Sequence, residues 1–290
     1  ASAADFAAAL VNVNATTSRT AAQPVAKLGR RGWLVTSLLA AATLAVGVVV
    51  GRRSTATSTG LTDAVQASIE LGDSAAIRPI GNIRLAVAPS GKRVAYIGAD
   101  GDDAALWVRD FDQPRARLLP DTKGAFAPFF SPDGESIGFF TAVGGTTVMK
   151  VIGVTGGVAR TVVQDSIASF GGADWGDDGQ IYFTNAARGL ARVASTGGNV
   201  TRSSRPDSTT GGKEHDYPDV LPGAKFALVM LWRGSIGSNK IGVIDLTTGT
   251  ATDIAEGSYA RYVTPGFVAI GASDGRLLVA RFDLRKGRLI

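Results

Sequence analysis

With 290 residues, 45% hydrophobic and 19% charged, the chain is long enough for one large or two ordinary domains and too apolar to be disordered throughout. It has no cysteine, which excludes disulfide frameworks, Cys-ligated zinc, Fe–S clusters and thiol catalysis but leaves the compartment open. The net charge of +5 is local: Arg19, Lys27, Arg30, Arg31, Arg52 and Arg53 precede residue 54 against Asp5 alone, and 24 basic residues face 24 acidic ones in the remainder. The excess therefore flanks one apolar segment, which argues for anionic lipid and against nucleic acid as the partner of that charge.

The first 13 residues, ASAADFAAALVNV, predict a short helix in which Ser2 caps and Asp5 sits three positions on. Residues 14–31 are rich in Thr, Ser and Ala and read as a linker. WLVTSLLAAATLAVGVVV, residues 33–50, is free of charge and close to the ~20 residues a helix needs to cross a bilayer core. A transmembrane helix is thus expected over residues 32–51. Trp33, Arg30 and Arg31 would lie at one interface and Arg52 and Arg53 at the other, with the N-terminus cytoplasmic. Gly47 and Gly51 form a Gly-x-x-x-Gly spacing that, with Thr43, puts small residues on one helix face and allows another helix to approach closely. STATSTG lies in a spacer over residues 52–64, and a folded domain is expected from residue 65 to 290, on the periplasmic side of a bacterial inner membrane.

Within that domain one pattern recurs as APSGKRVAYI, SPDGESIGFF, WGDDGQIYF, LPGAKFALVM and TPGFVAIGA. The turn glycines Gly91, Gly134, Gly179, Gly223 and Gly266 are 43, 45, 44 and 43 residues apart, the mark of a repeat architecture. Each turn is followed by a β-rich run, a polar loop, a third strand such as LWVRDF or VMKVIGV, and in four units a last strand such as ARTVV. Four short strands per repeat, with turn chemistry between them, predict an all-β propeller of about five blades, the last incomplete. Blades are expected at 81–120, 124–166, 170–203, 214–255 and 259–290. Residues 64–71 either supply the missing outer strand, or more chain follows Ile290.

SPDG at residues 131–134 resembles the Pro-Asp-Gly repeat of TolB-like β-propellers, and the other four turns match it in part. The order of short helix, basic flank, single span and propeller resembles the C-terminal half of bacterial membrane-anchored Ser/Thr protein kinases. The chain nevertheless lacks a Gly-rich loop, a Val-Ala-Ile-Lys strand, a His-Arg-Asp loop and an Asp-Phe-Gly motif, so it carries no kinase chemistry of its own.

The sole histidine, His215 in GGKEHDYPDV, has no Gly-x-Ser-x-Gly elbow to serve, and is expected to bond a carboxylate or carbonyl on an inner strand. Asp100, Asp102 and Asp103 lack the glycine and terminal glutamate of a calcium loop, and they, like Asp174, Asp177 and Asp178, read as solvated hairpins. Glycine pairs such as Gly156–Gly157 and Gly197–Gly198 precede outer strands and serve turns, not phosphates. No catalytic residue, cofactor, metal or small-molecule substrate is therefore expected. Two function classes remain. One is a non-catalytic accessory subunit that docks its helix and β domain on other membrane-protein subunits, of a photosynthetic reaction centre–antenna or a respiratory complex. The other is a sensor ectodomain and anchor derived from a kinase.

Overall fold

The computed structural model describes residues 77, 83–164, 167 and 171–290. The expected N-terminal helix, the span at 32–51 with Arg30, Arg31, Trp33, Thr43, Gly47, Gly51, Arg52 and Arg53, and the segment 64–71 lie outside them. Among the described residues, no helix is long and apolar enough to cross a membrane.

The described residues form five four-stranded antiparallel sheets in succession, each a meander from an inner to an outer strand. Blade 1 comprises β1 (Leu85–Val87), β2 (Arg93–Asp100), β3 (Asp103–Asp110) and β4 (Arg117–Leu118). Blade 2 comprises β5 (Phe126–Phe130), β6 (Ser136–Val143), β7 (Thr146–Gly153) and β8 (Gly156–Val163). Blade 3 has β9 (Ala173–Trp175), β10 (Gln180–Thr184), β11 (Leu190–Ala194) and β12 (Thr201–Arg202). Blade 4 has β13 (Glu214–Val220), β14 (Phe226–Trp232), β15 (Lys240–Asp245) and β16 (Ala251–Glu256). Blade 5 has β17 (Tyr259–Val263), β18 (Phe267–Gly271), β19 (Leu277–Asp283) and β20 (Arg288–Leu289). Two single turns of 3₁₀ helix, Ser208–Thr210 and Ile236–Ser238, are the helical segments among the described residues.

The boundaries fall where the glycine period puts them, with one correction. The fifth unit is not missing its outer strand: β20 pairs with β19, Phe282 opposite Leu289 and Asp283 opposite Arg288. Its two residues were invisible in the sequence because a strand that short has no periodicity to read.

The SPDG stretch joins β5 to β6. Gly134 takes a φ of 74°, which a side chain would disfavour, and its N–H donates to the Ser131 carbonyl at 2.9 Å. The Asp133 carboxylate accepts from the Ser131 hydroxyl (2.5 Å) and the Glu135 N–H (3.0 Å), so the turn is closed by its own side chains. The flanking aromatics then divide between two cores, because neighbours on a strand face opposite ways. Phe130 and Phe139 pack with Ile97, Leu106 and Ile152 between blades 1 and 2; Phe129 and Phe140 pack with Met149, Ile181 and Phe183 between blades 2 and 3. Gly138 leaves room for this, since a Cβ there would fall 2.1 Å from the Phe129 ring. Each aromatic buried this way contributes about 1.5–3 kcal/mol, and every sheet is covered on the face towards its neighbour.

Candidate functional site: the cavity at the inner strands

The innermost strands touch in sequence, β1 on β5, β5 on β9, β9 on β13 and β13 on β17. A cavity of about 410 Å³ opens where they converge, lined by residues of all five blades. The repeat explains which residues reach it. Each inner strand ends in a turn whose first residue pairs across the hairpin: Ala88 to Arg93, Ser131 to Ser136, Gly176 to Gln180, Leu221 to Phe226, and Val263 opposite Phe267. Two positions before that residue stand Ala86, Phe129, Asp174, Asp219 and Arg261, and all five line the cavity. They form a ring of equivalent positions, apolar on blades 1 and 2 and charged on blades 3, 4 and 5.

Backbone geometry aims this ring. Ala127, Gly172 and Tyr217, each two residues ahead of a ring member, adopt φ values of 47°, 71° and 53°. At Ala127 and Tyr217 the register of the inner pair shifts, and the kinked N–H groups bond to the preceding blade, Ala127 to the Ile83 carbonyl (3.2 Å) and Tyr217 to the Gly171 carbonyl (2.6 Å). Such bulges turn an inner strand and set the side chains that follow.

The charged half of the ring is tied together. Asp174 Oδ2 accepts from the Val220 N–H at 2.7 Å, and Asp219 Oδ2 accepts from the Tyr262 N–H at 2.6 Å. In both cases a ring carboxylate holds the backbone one residue after the ring position of the next blade. Asp219 Oδ1 also accepts from Arg261 Nη1 (2.7 Å), whose guanidinium lies 4.0 Å from Asp174 Oδ1 and donates through Nε to the Tyr259 hydroxyl at 2.8 Å. Burial lifts the Asp174 carboxyl above the ordinary carboxylate range, against the pull of Arg261 and with reinforcement from Asp219. Burial works against the Arg261 charge too, but Asp219 and Asp174 more than offset it, so the guanidinium stays protonated. The site offers two carboxylates already bonded to backbone, one guanidinium shared between them, and an apolar wall of Leu85, Val87, Pro128 and Phe130.

Asp174 was expected in a solvated hairpin; it lies on β9 and faces this cavity. Of the other aspartates, Asp178 closes its own turn, Asp177 reaches the next blade and Asp103 forms an ion pair. Asp178 accepts from the Gln180 N–H (3.0 Å) and the Tyr182 hydroxyl (2.8 Å), Asp177 from the Gly223 N–H (2.8 Å) of the next blade, and Asp103 pairs with Lys123 (2.6 Å). The ring itself was legible as a fixed offset before each turn, a signal that only a comparison between repeats exposes.

His215 is not at this cavity. It is buried on β13, and its partner is neither a carboxylate nor a carbonyl: Nδ1 lies 2.8 Å from Ser204 Oγ. Ser204 Oγ also accepts from the Leu190 N–H (3.0 Å), so the hydroxyl, bonded to both Leu190 and His215 Nδ1, ties the chain entering blade 4 to blade 3. Burial lowers the His215 pKa to about 4, which keeps the ring neutral at pH 7. Next to it, burial raises Asp216 to about 6, with Glu214 adding to the rise. The Thr184 hydroxyl donates to the carbonyls of His215 (2.8 Å) and Gly171 (3.1 Å), and Asp216 Oδ1 has no hydrogen-bond partner. Among the described residues no group of three His, Cys, Asp or Glu side chains could hold a metal ion.

No family model matches the chain. Solved structures resemble it in fold. TolB from Acinetobacter baumannii superposes with a TM-score of 0.53 at 20% identity, over 71% of this chain and 55% of that one. A putative TolB from Agrobacterium tumefaciens gives 0.54 at 17% identity, over 74% and 78%. The β-propeller domain of Cps50 (Swd1) from Myceliophteria thermophila gives 0.53 at 16%, over 77% and 70%. The described domain is therefore an all-β propeller in fold, like TolB and like the Cps50 domain. The chain covers little more than half the length of the Acinetobacter protein, and at these identities the likeness extends to the fold.

Proposed function

We propose that the chain is a non-catalytic accessory protein, anchored by residues 32–51 and docking its β-propeller on another subunit of a membrane complex. The observation that supports this is how the ring uses its charges. Asp174 and Asp219 are occupied by backbone N–H groups of the following blade and by Arg261. A reactive site keeps a nucleophile, acid or base free to change partners; here the ionic groups hold three blades in register. What the cavity presents outward is an apolar wall on blades 1 and 2 beside charges already paired with one another. Leu85 and Val87 on its rim are 48% and 56% exposed, the exposure expected of residues that wait for a partner.

The test is purification of the full chain from native membranes in mild detergent, followed by identification of what accompanies it. The wild type brings a defined set of membrane subunits. Leu85→Glu and Val87→Glu together lose that set while the domain stays folded, because neither side chain belongs to a core. Gly47→Leu in the anchor loses it too, by blocking close helix approach. A wild-type chain that purifies alone refutes the reading; a chain whose propeller variants alter a kinase output, with copurification unchanged, establishes the sensor instead.

A further inference from the structure

The turn between the third and fourth strands carries a glycine at positive φ in four blades: Gly156, Gly197, Gly249 and Gly287. Blade 1 departs from the repeat. Its connection from β3 to β4 reads FDQPRA, residues 111–116, with a proline, no glycine and no residue at positive φ. A cleft of about 570 Å³ opens beside this connection, at the rim of the core between blades 1 and 2. Strand register builds its floor: Arg93 stands opposite Asp110 and Val108 opposite Arg117, so the four side chains share one face of blade 1. Blade 2 fixes two of the guanidinium groups. Arg93 donates through Nε to the Asp110 carboxylate and through Nη1 to the Gly134 carbonyl at 3.1 Å, and Arg117 donates through Nη2 to the Val154 carbonyl. Arg115, from the connection itself, lines the cleft exposed, with no hydrogen bond or ion pair among the described residues.

Part of this arrangement is scaffolding. Arg160 makes the matching bond one blade later, donating through Nη2 to the Ser195 carbonyl of blade 3 at 2.7 Å, so the strap from Arg117 to blade 2 belongs to the repeat. What blade 1 adds is charge that the strap does not need. Three guanidinium groups line the cleft against the single carboxylate of Asp110, and Arg93 occupies that carboxylate. Glu135, 3.9 Å from Arg93 Nη1, lies outside the lining with its side chain 69% exposed.

We propose that this cleft binds a phosphate monoester, held by Arg115 and Arg117. The lining carries more positive charge than negative, three guanidinium groups to one carboxylate, an excess that a phosphate monoester, close to dianionic at pH 7, balances and a lone carboxylate does not. Arg117 uses one of its three nitrogens and Arg115 none, so each has a two-pronged donor edge to offer to phosphate oxygens. Because blade 2 already holds Arg117, less side-chain entropy is lost when the anion is bound. Gln113 and Thr155 line the same cleft and supply neutral donors. The volume exceeds what a bare phosphate fills, and Pro114 and Val108 leave the remainder less polar, which suits an organic group on the ester oxygen. A soluble polyol phosphate and a phosphatidate headgroup share this chemistry. The inference does not rest on the accessory role and stands or falls separately.

The test is calorimetric titration of the full-length chain in neutral detergent, with glycerol 3-phosphate in solution and, separately, with phosphatidate or phosphatidylcholine mixed into the micelle. Saturable binding of glycerol 3-phosphate supports the proposal and assigns a soluble ester. Binding to phosphatidate micelles alone, weakened by Arg115→Gln, supports it and assigns the lipid headgroup. Arg115→Gln weakens either binding about 10- to 100-fold, the equivalent of losing charged hydrogen bonds, and leaves the urea midpoint unchanged because Arg115 has no partner in the fold. Arg160→Gln removes the same charge and the matching strap one blade away, and shifts the affinity by no more than about twofold, since salt screens it at that distance. The proposal is overturned if neither probe binds at millimolar concentration, or if acetate binds as tightly as glycerol 3-phosphate. It is overturned equally if phosphatidylcholine matches phosphatidate, if Arg115→Gln binds like the wild type, or if Arg160→Gln loses as much as Arg115→Gln.

Discussion

His215 and Asp216 are neighbours on β13 whose titrations act on stability in opposite directions, and separating them tests the account of the buried polar layer between blades 3 and 4. His215 is 2% exposed, and its pKa falls from the ordinary 6.5 to about 4 through burial. Below pH 6.5 the unfolded chain takes up a proton that the folded chain refuses. His215 thus stabilises the fold fully above pH 6.5 and loses that contribution as the pH falls through 4, by about 3 kcal/mol at 1.36 kcal/mol per pH unit. Asp216, 7% exposed, is raised from 3.8 to about 6, again by burial first. Its contribution is complete below pH 3.8 and lost as the pH rises through 6, again about 3 kcal/mol. The two nearly cancel between about pH 4 and pH 6.5, so neither is visible in the wild type. Asp216→Asn removes one side: its urea midpoint should fall on acidification more steeply than that of the wild type. His215→Asn keeps an acceptor near the Nδ1 position for Ser204 and removes the other side; its midpoint should rise relative to wild type as the pH falls over the same window. Measuring each variant against the wild type at each pH cancels the remaining carboxylates. Parallel profiles for all three proteins would show that these groups titrate as in the unfolded chain, and the buried-layer account would be wrong.

Three further outcomes follow from the packing. Phe139→Ala, at a fully buried position between blades 1 and 2, should lower stability by about 3–5 kcal/mol in urea unfolding, while an exposed aromatic such as Phe111 should tolerate alanine within about 0.5 kcal/mol. Gly138→Val should cost at least about 1–3 kcal/mol, because its Cβ would stand 2.1 Å from the Phe129 ring, and a melting temperature equal to wild type would show that Phe129 does not lie over β6. Asp219→Ala should destabilise by about 1–3 kcal/mol, since it leaves the Tyr262 N–H without its acceptor and the Arg261 guanidinium without its nearer carboxylate; amide exchange at Tyr262 should quicken, and an unchanged rate would show that the carboxylate does not hold blade 5.

The architecture was legible from turn glycines because each turn needs a residue at positive φ, and that need recurs once per blade: Gly91, Gly134, Gly179, Gly223 and Gly266 all have φ between 68° and 85°. The aromatics of FFSPDGESIGFF were legible as core for the same reason, since strand alternation fixes which way each one faces. Asp174 was not. It stands beside Asp177 and Asp178 in a run of polar residues, and local composition cannot tell a turn carboxylate from one on the preceding strand. The His215 partner was hidden for another reason: Ser204 is 11 residues away in an irregular connection, and the bond depends on how that loop crosses between blades. Burial, the first cause of the Asp174, His215 and Asp216 displacements, depends on tertiary packing and leaves no trace in composition.

The ring of Ala86, Phe129, Asp174, Asp219 and Arg261 shows how a repeat can stay a repeat and still build a one-sided cavity. The turn and the strand alternation that follow each ring position are needed five times, so those residues are under the same constraint in every blade. The ring residue is less constrained: Asp174, Asp219 and Arg261 belong to none of the hydrophobic cores, although Phe129 does. Its freedom has limits that the structure displays. A carboxylate at this position can reach the backbone N–H of the next blade, as Asp174 and Asp219 both do, whereas Phe129 makes no such bond and contributes instead to the core between blades 2 and 3. Blades 3 to 5 are therefore joined at the axis by ionic and hydrogen-bonded contacts, and blades 1 and 2 by hydrophobic ones. High salt should loosen the first kind more than the second. If amide exchange at Val220 and Tyr262 quickens in concentrated salt while that of Ile97 and Phe139 holds, the division is real. Equal responses across all five blades would mean that the ring charges are incidental to how the blades are joined.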